Sequence, residues 1–500
     1  MTVSAGTPDD QRGGALERSR VRSSIPSGAK RIKVVLYNPR AVFFTMPLAL
    51  LAIGSELDPN LHEVVTIDGR LEDDPVAAVL AHLDGALCLG VTVLTGAPIS
   101  DALSISRAAK AARPDLPVIW GGWHPSMFAR ECLADPSVDV TVRGQGEETF
   151  ADIVRRLAAG SSLEGCAGCT VRLADGRIHE NPSRALLPVD RFRAHDYGLI
   201  PVERYFRLKG KRQLDFISSQ GCNFRCAFCS DPFVYGRKWV GLDPTRMALR
   251  LKQLWDRYQF DDVNFQDETF FTKRDRVEAF AARLIDQGLK ITWAGTMRAD
   301  QGVRLPDEVW ALSKRSGLRR LLVGVESGSD EMLRRIKKDI KIEQVFHTAR
   351  KMREHGIAGQ FPFIVGFPEE SDDSIRATLD VAKQLRALST DFQTPIFYFK
   401  PYPGSEIVSD AVARGFRLPE TLEAWSEFDF VDGLPGPWVS REKFRLIERF
   451  KFFHELAWKR PSTGKRLLQQ LARYRCSKDN YRWPVEMLFT RWLVPAQRLS

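Results

Sequence analysis

Three cysteines fall within eight consecutive residues, Cys222, Cys226 and Cys229 in the stretch QGCNFRCAFCS. Closely spaced thiolates suit a zinc ion or an iron–sulfur cluster. Structural zinc takes four protein ligands, and the only further Cys or His within 50 residues on either side are His179 and His195. A cubane 4Fe–4S cluster on three cysteines leaves one iron open for a substrate or a chelating cofactor. The cluster is the favoured interpretation, with zinc and unliganded thiols as alternatives.

The cysteines follow the first strand of an alternating β/α series that begins at Leu214. Each predicted strand is followed by a helical stretch, and the strands are LDFISS, DVNFQ, ITWAG, RLLVGVE, QFPFIVG and FQTPIFYF. Six such units predict a parallel, TIM-like barrel that is open or partial, because about eight units close one.

Chemically active residue types collect where these strands end. Because parallel α/β folds bind ligands at the carboxyl ends of their strands, we expect these residues to share one rim with the cysteines. They are Asp267 and Glu268 after the second strand, Arg298 after the third, Glu326 at the fourth, Gly366 and Pro368 at the fifth, and Lys400 to Gly404 at the sixth.

An earlier series of five strands precedes the barrel, namely IKVVLYN, HEVVTID, GALCLGVTV, LPVIWGG and VDVTVRG. Strands that alternate with amphipathic segments predict a doubly wound, Rossmann-like parallel sheet over residues 31–160. No GxGxxG follows the first strand, and the nearest approach, GQGEET, follows the last one. A nicotinamide site is therefore poorly supported.

The stretch CNFRCAFC after the first strand of a six-unit barrel resembles the radical S-adenosylmethionine (SAM) enzymes, over residues 210–405. Phe228, directly before the last thiol, strengthens the resemblance. It implies that SAM chelates the open iron through its amino and carboxylate groups. One electron from the cluster then cleaves SAM to methionine and a 5′-deoxyadenosyl radical, which abstracts a hydrogen atom from the substrate.

The resemblance also assigns SAM contacts at the later strand ends. In QDETFF, Asp267 and Glu268 would accept from the methionine ammonium, although an ordinary helix N-cap pair is the alternative. In TMRAD, Arg298 would hold the SAM carboxylate or a substrate anion. In VGVESGS, Glu326 would hydrogen-bond the ribose with Ser327 beside it, although Glu326 could also be a surface-facing strand end.

The last two barrel strands carry the remaining assignments. FIVGFPEE, with Gly366 and Pro368, resembles the motif that packs against adenine. YPGSE resembles the turn near the substrate.

A doubly wound unit directly before such a barrel resembles the cobalamin-binding domain of cobalamin-dependent radical SAM enzymes. The loops VTVLTGAP, GGWHP and RGQGEET look like the loops that hold the corrin and its nucleotide tail. Small residues there let a bulky flat ligand approach the backbone. The positions assigned to cobalamin are Thr92, Thr95, Gly121, Gly122, Gly144 and Glu147.

One departure concerns the cobalt ligand. Many cobalamin domains carry Asp-x-His-x-x-Gly after the first strand, whereas this loop reads YNPRAVFFTMP and has no His. We therefore expect base-off cobalamin without a protein His, and a cobalamin-free recognition module is the alternative. His124 in GGWHP is expected to pack or cap a loop rather than to bind cobalt. Cys166 and Cys169 in CAGC are expected to be plain thiols rather than a metal or redox pair.

The bulk composition sets the remaining expectations. Hydrophobic residues make up 44% of the chain and charged residues 27%, which is typical of a soluble globular protein. Eight cysteines in 500 residues do not resemble a secreted disulfide framework, so we expect a cytoplasmic protein in a reducing environment. The net charge of +10 is spread along the chain without a nucleic-acid-binding motif, so nucleic acid is not an expected partner. The predicted division is a disordered arm (1–30), the cobalamin-binding domain (31–160), a linker with a small hairpin (161–212), the radical SAM barrel (213–404) and an aromatic-rich helical region (405–500).

Together these features predict a cobalamin-dependent radical SAM enzyme that methylates an unactivated carbon of a natural-product, lipid or tetrapyrrole-type small molecule. The alternatives are oxidative cyclisation or ring rearrangement, as in the anaerobic magnesium-protoporphyrin ester cyclase branch, and a non-catalytic cobalamin- or metal-binding regulator. The resemblance implies a reductase partner such as flavodoxin or ferredoxin. The aromatic C-terminal helices are expected to cap the barrel or to pack as core, and peripheral membrane contact is compatible with them.

Overall fold

The structure is a computed structural model that describes residues 31–41, 44–428, 433–458, 466–481 and 486–487. The chain divides into a short N-terminal unit, Met1–Arg31, and a compact unit, Ile32–Ser500, which contains all the elements given below. The predicted arm 1–30 lies outside the described residues, as does most of the aromatic segment after Tyr481. No described helix is long and apolar enough to cross a membrane.

The first half of the compact unit is a seven-stranded sheet. Its five parallel strands are β1 (Ile32–Asn38), β2 (His62–Asp68), β3 (Ala86–Thr92), β4 (Val118–Gly121) and β5 (Val140–Val142). The helices between and after them are α1 (Leu48–Glu56), α2 (Pro75–Leu80), α3 (Pro98–Ala112), α4 (Trp123–Met127), α5 (Ala129–Cys132) and α6 (Glu147–Ala158). Helices cover both faces of the sheet, which explains why Val34 to Tyr37 of β1 are fully buried.

The parallel strands lie in the order β2-β1-β3-β4-β5. After β2 is added on one side of β1, the later strands are added on the other side, so the strand order reverses between β1 and β3. Doubly wound folds bind their ligands at this point, outside the carboxyl ends of the strands. The predicted sheet is confirmed, and its ligand crevice is expected beside Asn38 and Thr92.

A hairpin of β6 (Cys169–Arg172) and β7 (Ile178–Glu180) extends this sheet in the antiparallel sense. Cys166 and Cys169 are free, buried thiols at its start. Asn181 Nδ2 donates to Cys169 Sγ at 3.3 Å, which holds this thiol inside the turn.

The second half is an open parallel barrel. Its strands and the short antiparallel pair at its rim are β8 (Gln213–Phe216), β9 (Ser219–Gly221), β10 (Trp239–Gly241), β11 (Asp262–Phe265), β12 (Thr292–Arg298), β13 (Leu318–Gly324), β14 (Ala358–Gln360), β15 (Phe363–Val365), β16 (Phe392–Gln393) and β17 (Ile396–Tyr398). The order β8-β11-β12-β13-β14-β16 leaves β8 and β16 as edges, as predicted for a partial barrel.

The fifth and sixth barrel strands are each broken in two. Pro362 separates β14 from β15, and Pro395 separates β16 from β17. Proline has no N–H for the ladder, so a strand is interrupted where it occurs. The outer pieces β15 and β17 pair with each other instead, and Phe363 forms a bridge to Glu326.

Helices surround the barrel and continue to the C-terminus. Those of the barrel half are α7 (Val202–Lys209), α8 (Asp231–Val234), α9 (Pro244–Tyr258), α10 (Arg274–Asp286), α11 (Ala299–Val303), α12 (Asp307–Arg315), α13 (Asp330–Arg335), α14 (Ile342–Glu354) and α15 (Asp372–Leu388). Those of the C-terminal region are α16 (Val408–Ala413), α17 (Leu422–Ser426), α18 (Arg441–Trp458) and α19 (Arg466–Ser477).

The C-terminal helices divide between the two halves. α18 packs on α15 and α19, and its Phe450 and Phe453 are buried in the barrel's core. α17 instead packs on α3 of the N-terminal sheet. The predicted helical region is thus found, and its aromatic residues contribute to the cores of both halves.

Candidate functional site

A cavity of about 380 Å³ lies between the carboxyl edge of the N-terminal sheet and the barrel. We call it the sheet cavity. From the barrel side its wall includes Gln220, Tyr235, Gln266 and Glu268. Five of the positions assigned to cobalamin line it, namely Thr92, Gly121, Gly122, Gly144 and Glu147.

Glycines shape the wall of this cavity. A Cβ on Gly122, whose φ is 103°, would lie 2.9 Å from Val93 O. A Cβ on Gly90 would lie 2.9 Å from a methyl carbon of Leu36 and 3.1 Å from the ring of Phe150. At these two positions the lack of a side chain lets the wall of the cavity pack closely. A Cβ on Gly121 or Gly144 would instead have its nearest neighbour 3.7 or 3.8 Å away, so the absence of a side chain leaves room there. These features fit a large flat ligand with a tail, and Gly90, in the middle of a strand, was not predicted.

Thr95 and His124 do not line the sheet cavity. The hydroxyl of Thr95 lies 3.2 Å from Nδ1 of His124 in a hydrogen bond. The fully buried His124 ring packs against Phe128 and Trp425, with centroid distances of 5.1 and 5.7 Å. Burial lowers the pKa of His124 to about 4. Thr95 is thus hydrogen-bonded to His124 and lies outside the sheet-cavity lining, and its assigned cobalamin contact stays a prediction.

His124→Phe tests this packing role through pH. A buried imidazole with a pKa of about 4, against 6.5 for the free group, stays neutral in the folded chain while the unfolded chain takes up a proton. Wild type should therefore lose stability relative to His124→Phe by roughly 3 kcal/mol as the pH falls from 6.5 to 4. Urea unfolding across this range measures the difference, with the exposed His82→Phe as a control that leaves the pH profile unchanged. A changed corrin spectrum in His124→Phe would contradict the packing role.

A chain of amides joins the sheet to the barrel beside this cavity. Gln220 Nε2 donates to Glu147 Oε1 at 2.7 Å, and Gln145 Nε2 donates to Gln220 Oε1 at 2.6 Å. Burial raises the pKa of Glu147. Glu147 therefore holds a barrel residue in place as well as lining the cavity.

The three cysteines lie on the loop between β9 and α8. The loop is anchored at its centre, because Ala227 N donates to Ile336 O at 2.9 Å and Ala227 O accepts from Ile407 N at 3.1 Å. Burial raises the pKa of Cys222 to about 11 and also raises that of Cys229. Neighbouring positive charge is what converts such thiols to the thiolates that bind metal.

The donor set fits a cubane cluster. Three soft thiols share one anchored loop, as cluster ligation by cysteine requires. Within the described ranges, no three His, Cys, Asp or Glu side chains converge on a point where they could hold one ion. A cubane needs no such convergence, because each thiolate holds a different iron.

Arg298 supports the cysteine loop. Its Nη1 lies 3.6 Å from Cys226 Sγ, and its guanidinium lies 3.8 Å from the centre of the Phe224 ring. Its Nε pairs with Asp300 Oδ1 at 3.0 Å, and it also donates to the carbonyl of Lys338. Arg298 thus contacts the cysteine loop and lines neither the sheet cavity nor the cavity formed by Phe228, Cys229 and Glu326.

The structure separates the predicted acidic pair. The Asp267 carboxylate accepts from the backbone N–H and hydroxyl of Ser218 and from the hydroxyl of Ser219, at 2.6–2.7 Å. Glu268 instead faces the sheet cavity. Enclosure by protein and the nearby Asp231 carboxylate raise the pKa of Glu268. Asp267 is occupied in fixing the first strand's end, so only Glu268 is placed to meet a ligand.

A second cavity of about 360 Å³ lies over the cysteine loop, and we call it the cluster cavity. Five residues predicted for this rim line it, namely Phe228, Cys229, Glu326, Lys400 and Tyr402. Asp231 also lines it, is only 3% exposed, and neither of its carboxylate oxygens has a hydrogen-bond partner among the described residues. The pKa of Asp231 is raised to about 6, because the effect of burial exceeds the opposing effect of the nearby Cys222 thiol. Its position two residues after the last cysteine is the signal that could have identified it.

Glu326 belongs to a buried ion pair. Lys338 Nζ lies 2.7 Å from Glu326 Oε1, with 7% and 10% of the two side chains exposed. Glu326 has a φ of 71°, in the left-handed region that non-glycine residues adopt at a cost in free energy. Ser327 is buried and bonded to Thr378 at 3.2 Å, so it does not reach the cavity. Lys338 was not predicted, because nothing in the local sequence identifies the partner of Glu326.

The fifth-strand motif forms a tight turn outside the cluster-cavity lining. Gly366, with a φ of 78°, donates through its N–H to Glu370 Oε2 at 2.6 Å and accepts from Trp438 Nε1 at 2.8 Å. Pro368 lies in the same turn and also does not line the cavity. The buried Glu370, missed from the sequence, shapes this turn, and the acidic end of FPEE is its signal.

The two cavities share one side chain. Trp123 lines both of them and packs edge-to-face on Tyr235, with ring centroids 5.9 Å apart at 84°. Tyr235 lines the sheet cavity. Ligands in the two cavities would therefore be separated by little more than an aromatic ring.

Family models match both halves of the chain. Residues 35–154 match the B12 binding domain, and residues 216–382 match the Radical SAM superfamily. These two domains account for three cofactors, a 4Fe–4S cluster, SAM and cobalamin.

Curated relatives match over most of their length. An uncharacterised methyltransferase of Pyrococcus horikoshii is 29% identical over 418 residues, 81% of this chain and 87% of the relative. The anaerobic magnesium-protoporphyrin IX monomethyl ester cyclase of Synechocystis is 28% identical over 431 residues, 85% of this chain and 83% of the relative.

A solved structure shows the same fold. The cobalamin-dependent SAM radical enzyme OxsB, with aqua-cobalamin and SAM bound, superposes with a TM-score of 0.68 at 17% identity. The match covers 93% of this chain and 75% of OxsB. The chain therefore carries a B12 binding domain followed by a Radical SAM superfamily domain.

Proposed function

We propose that this enzyme transfers a methyl group, carried by cobalamin, to an unactivated carbon of a small molecule. The observation that carries the proposal is the shared position of Trp123 between the sheet cavity and the cluster cavity. A methyl carrier in one cavity and a hydrogen-abstracting centre in the other would act on the same substrate. Relatives named as methyltransferases support this choice, among them the cytidylyl-2-hydroxyethylphosphonate methyltransferase of Streptomyces wedmorensis.

The residues that would hold the cofactors follow from the geometry. Cys222, Cys226 and Cys229 would each bind one iron and leave the fourth for the amino and carboxylate groups of SAM. When bound, the cluster supplies the electron that cleaves SAM, and cobalamin carries the methyl group. Asp231 and Glu326 would accept hydrogen bonds from SAM in the cluster cavity.

On the other side, the glycine-rich wall of the sheet cavity would hold the corrin. Thr92 and Glu147 would be its polar contacts, and we propose that the cobalt has no protein His ligand.

The partners follow from the chemistry. A reduced flavodoxin or ferredoxin would provide the electron, since no described group of the chain is a reductant of that kind. We propose a cytosolic location, because the cluster thiols must remain reduced. The substrate class remains a natural product, a lipid or a tetrapyrrole, and peripheral membrane contact stays a prediction.

The proposed reaction is tested with SAM that carries a deuterated methyl group. The protein is reconstituted anaerobically with iron, sulfide and hydroxocobalamin, then incubated with a reductant and a panel of tetrapyrroles, hopanoid-type lipids and aromatic natural products. Formation of 5′-deoxyadenosine together with a deuterated product is the expected result. An unlabelled product that is dehydrogenated or rearranged would contradict methyl transfer and would indicate cyclisation or rearrangement instead.

A further inference from the structure

A third cavity, of about 190 Å³, opens beside the sheet cavity, and we call it the side pocket. It lies between the segment 189–197, the first barrel strand and α9. Its inner wall shares Glu147, Ile217 and Gln220 with the sheet cavity. The side pocket is therefore one layer of side chains away from the proposed cobalamin site.

Three arginines and one histidine contribute to its lining. Arg193, Arg250, Arg257 and His195 all line the pocket. Arginine stays protonated in proteins, so three permanent positive charges meet there. Burial, with the nearby Arg250 charge, lowers the pKa of His195 to about 4, so its imidazole is neutral and free to donate or accept a hydrogen bond.

The acidic residues of the lining are committed elsewhere. Glu147 accepts from Gln220, as described above. Asp196 Oδ1 accepts from Gly198 N at 2.8 Å and lies 3.8 Å from Arg257 at the exposed mouth. Neither of these carboxylates forms an ion pair with Arg250, the inner arginine of the pocket.

Arg250 is this inner arginine. Its Nη2 donates to the carbonyl of Phe192 at 3.2 Å, and among the described residues no carboxylate forms an ion pair with it. Asp190 and Glu56 are near enough to influence it, but neither forms an ion pair with it, because Asp190 pairs with Arg246 and Glu56 accepts from Arg193 N at 2.6 Å. A half-buried guanidinium without a directly paired carboxylate is a favourable place for an anion to bind.

We propose that the side pocket binds the anionic group, a phosphate or a carboxylate, of a small molecule, with Arg250 as its main contact. A planar guanidinium matches both anions through paired hydrogen bonds, and Arg193 and His195 would complete the set. The volume is below the roughly 300–1,000 Å³ that encloses a whole ligand, so the pocket suits one charged group rather than a cofactor. The site does not depend on the methyl transfer proposed above.

Two sources could supply this anion. One is a free or substrate-borne phosphate or carboxylate that enters from the exposed mouth. The other is the phosphodiester in the nucleotide loop of cobalamin, which would reach across the wall formed by Ile217 and Gln220. The shared chemistry is an oxyanion on Arg250, and the two sources give different results below.

The test uses the full-length chain loaded with its cluster, in two calorimetric arms. The first titrates inorganic phosphate and citrate into holoenzyme that contains hydroxocobalamin. The second titrates hydroxocobalamin, and separately cobinamide, which lacks the nucleotide loop and its phosphate, into corrin-free protein. Arg250→Gln is compared with Arg246→Gln, which lies on the same helix, pairs with Asp190 and does not line the pocket.

For a free anion, Arg250→Gln weakens phosphate or citrate binding at least tenfold and leaves corrin affinity unchanged. If the loop phosphodiester is the anion, Arg250→Gln lowers the affinity for hydroxocobalamin at least tenfold and leaves the affinity for cobinamide unchanged. Arg246→Gln changes neither. Equal affinities of wild type and Arg250→Gln in both arms would overturn the proposal. Should Arg250→Gln fail to fold, the exposed Arg193→Gln repeats both arms with an expected loss of about threefold.

Discussion

Cys226→Ala is expected to abolish the iron-dependent absorbance of the reconstituted protein and to reduce 5′-deoxyadenosine formation to below about one thousandth of the wild-type rate. Cys226 is the central thiol of the cysteine loop, and its Sγ lies 3.6 Å from Arg298. Without it only two thiols remain for a cluster that needs three. The electron source for SAM cleavage is then lost, and no other described group replaces it. Iron content, absorbance and product are measured on the same anaerobic sample.

Cys88→Ala is the matched control. Cys88 is a free thiol buried in β3, away from the cysteine loop. Its truncation leaves a small cavity that costs on the order of 1 kcal/mol, with iron content and rate unchanged. A cluster and 5′-deoxyadenosine in Cys226→Ala at wild-type levels would refute the role of the loop.

The parallel strands could be predicted because burial on both faces imposes continuous apolar runs. IKVVLYN and GALCLGVTV differ little from the observed Ile32–Asn38 and Ala86–Thr92. The cysteine loop could be predicted because its ligands are adjacent in sequence. The breaks at Pro362 and Pro395 were missed, although proline is incompatible with an inner ladder position.

Long-range contacts limited the prediction of the site. Asp267 and Glu268 are neighbours with the same chemistry, and only the approach of Ser218 and Ser219, which follow β8, decides that Asp267 is occupied. Thr95 was assigned by its loop, yet contact with His124 turns it away from the cavity. The importance of Gly90 depends on Phe150, a residue 60 positions later. A local pattern carries none of this information.

Lys338→Met is expected to lower the free energy of unfolding by about 3–5 kcal/mol, because it leaves the Glu326 carboxylate buried without a partner. The two charged groups pack closely over Gly324, where a Cβ would lie 2.6 Å from Glu326 Oε1 and 2.8 Å from Lys338 Nζ. Denaturant unfolding followed by circular dichroism measures the loss. Lys337→Met is the matched control. The neighbouring Lys337 pairs with Glu406 at the surface, with 38% and 61% of the two side chains exposed, so its loss should cost less than about 1 kcal/mol.

The double variant Glu326→Gln with Lys338→Met separates stability from ligand binding. Removing both charges should restore at least about 2 kcal/mol of the stability lost in Lys338→Met, because no unpaired buried charge remains. SAM affinity should not recover, and should stay at least about tenfold below wild type, because a charged acceptor facing the cluster cavity has been lost. Equal unfolding costs for Lys338→Met and Lys337→Met would show that the buried pair does not stabilise the barrel. Wild-type SAM affinity in the double variant would remove Glu326 from the proposed binding site, and the strained φ of 71° would then have no functional explanation.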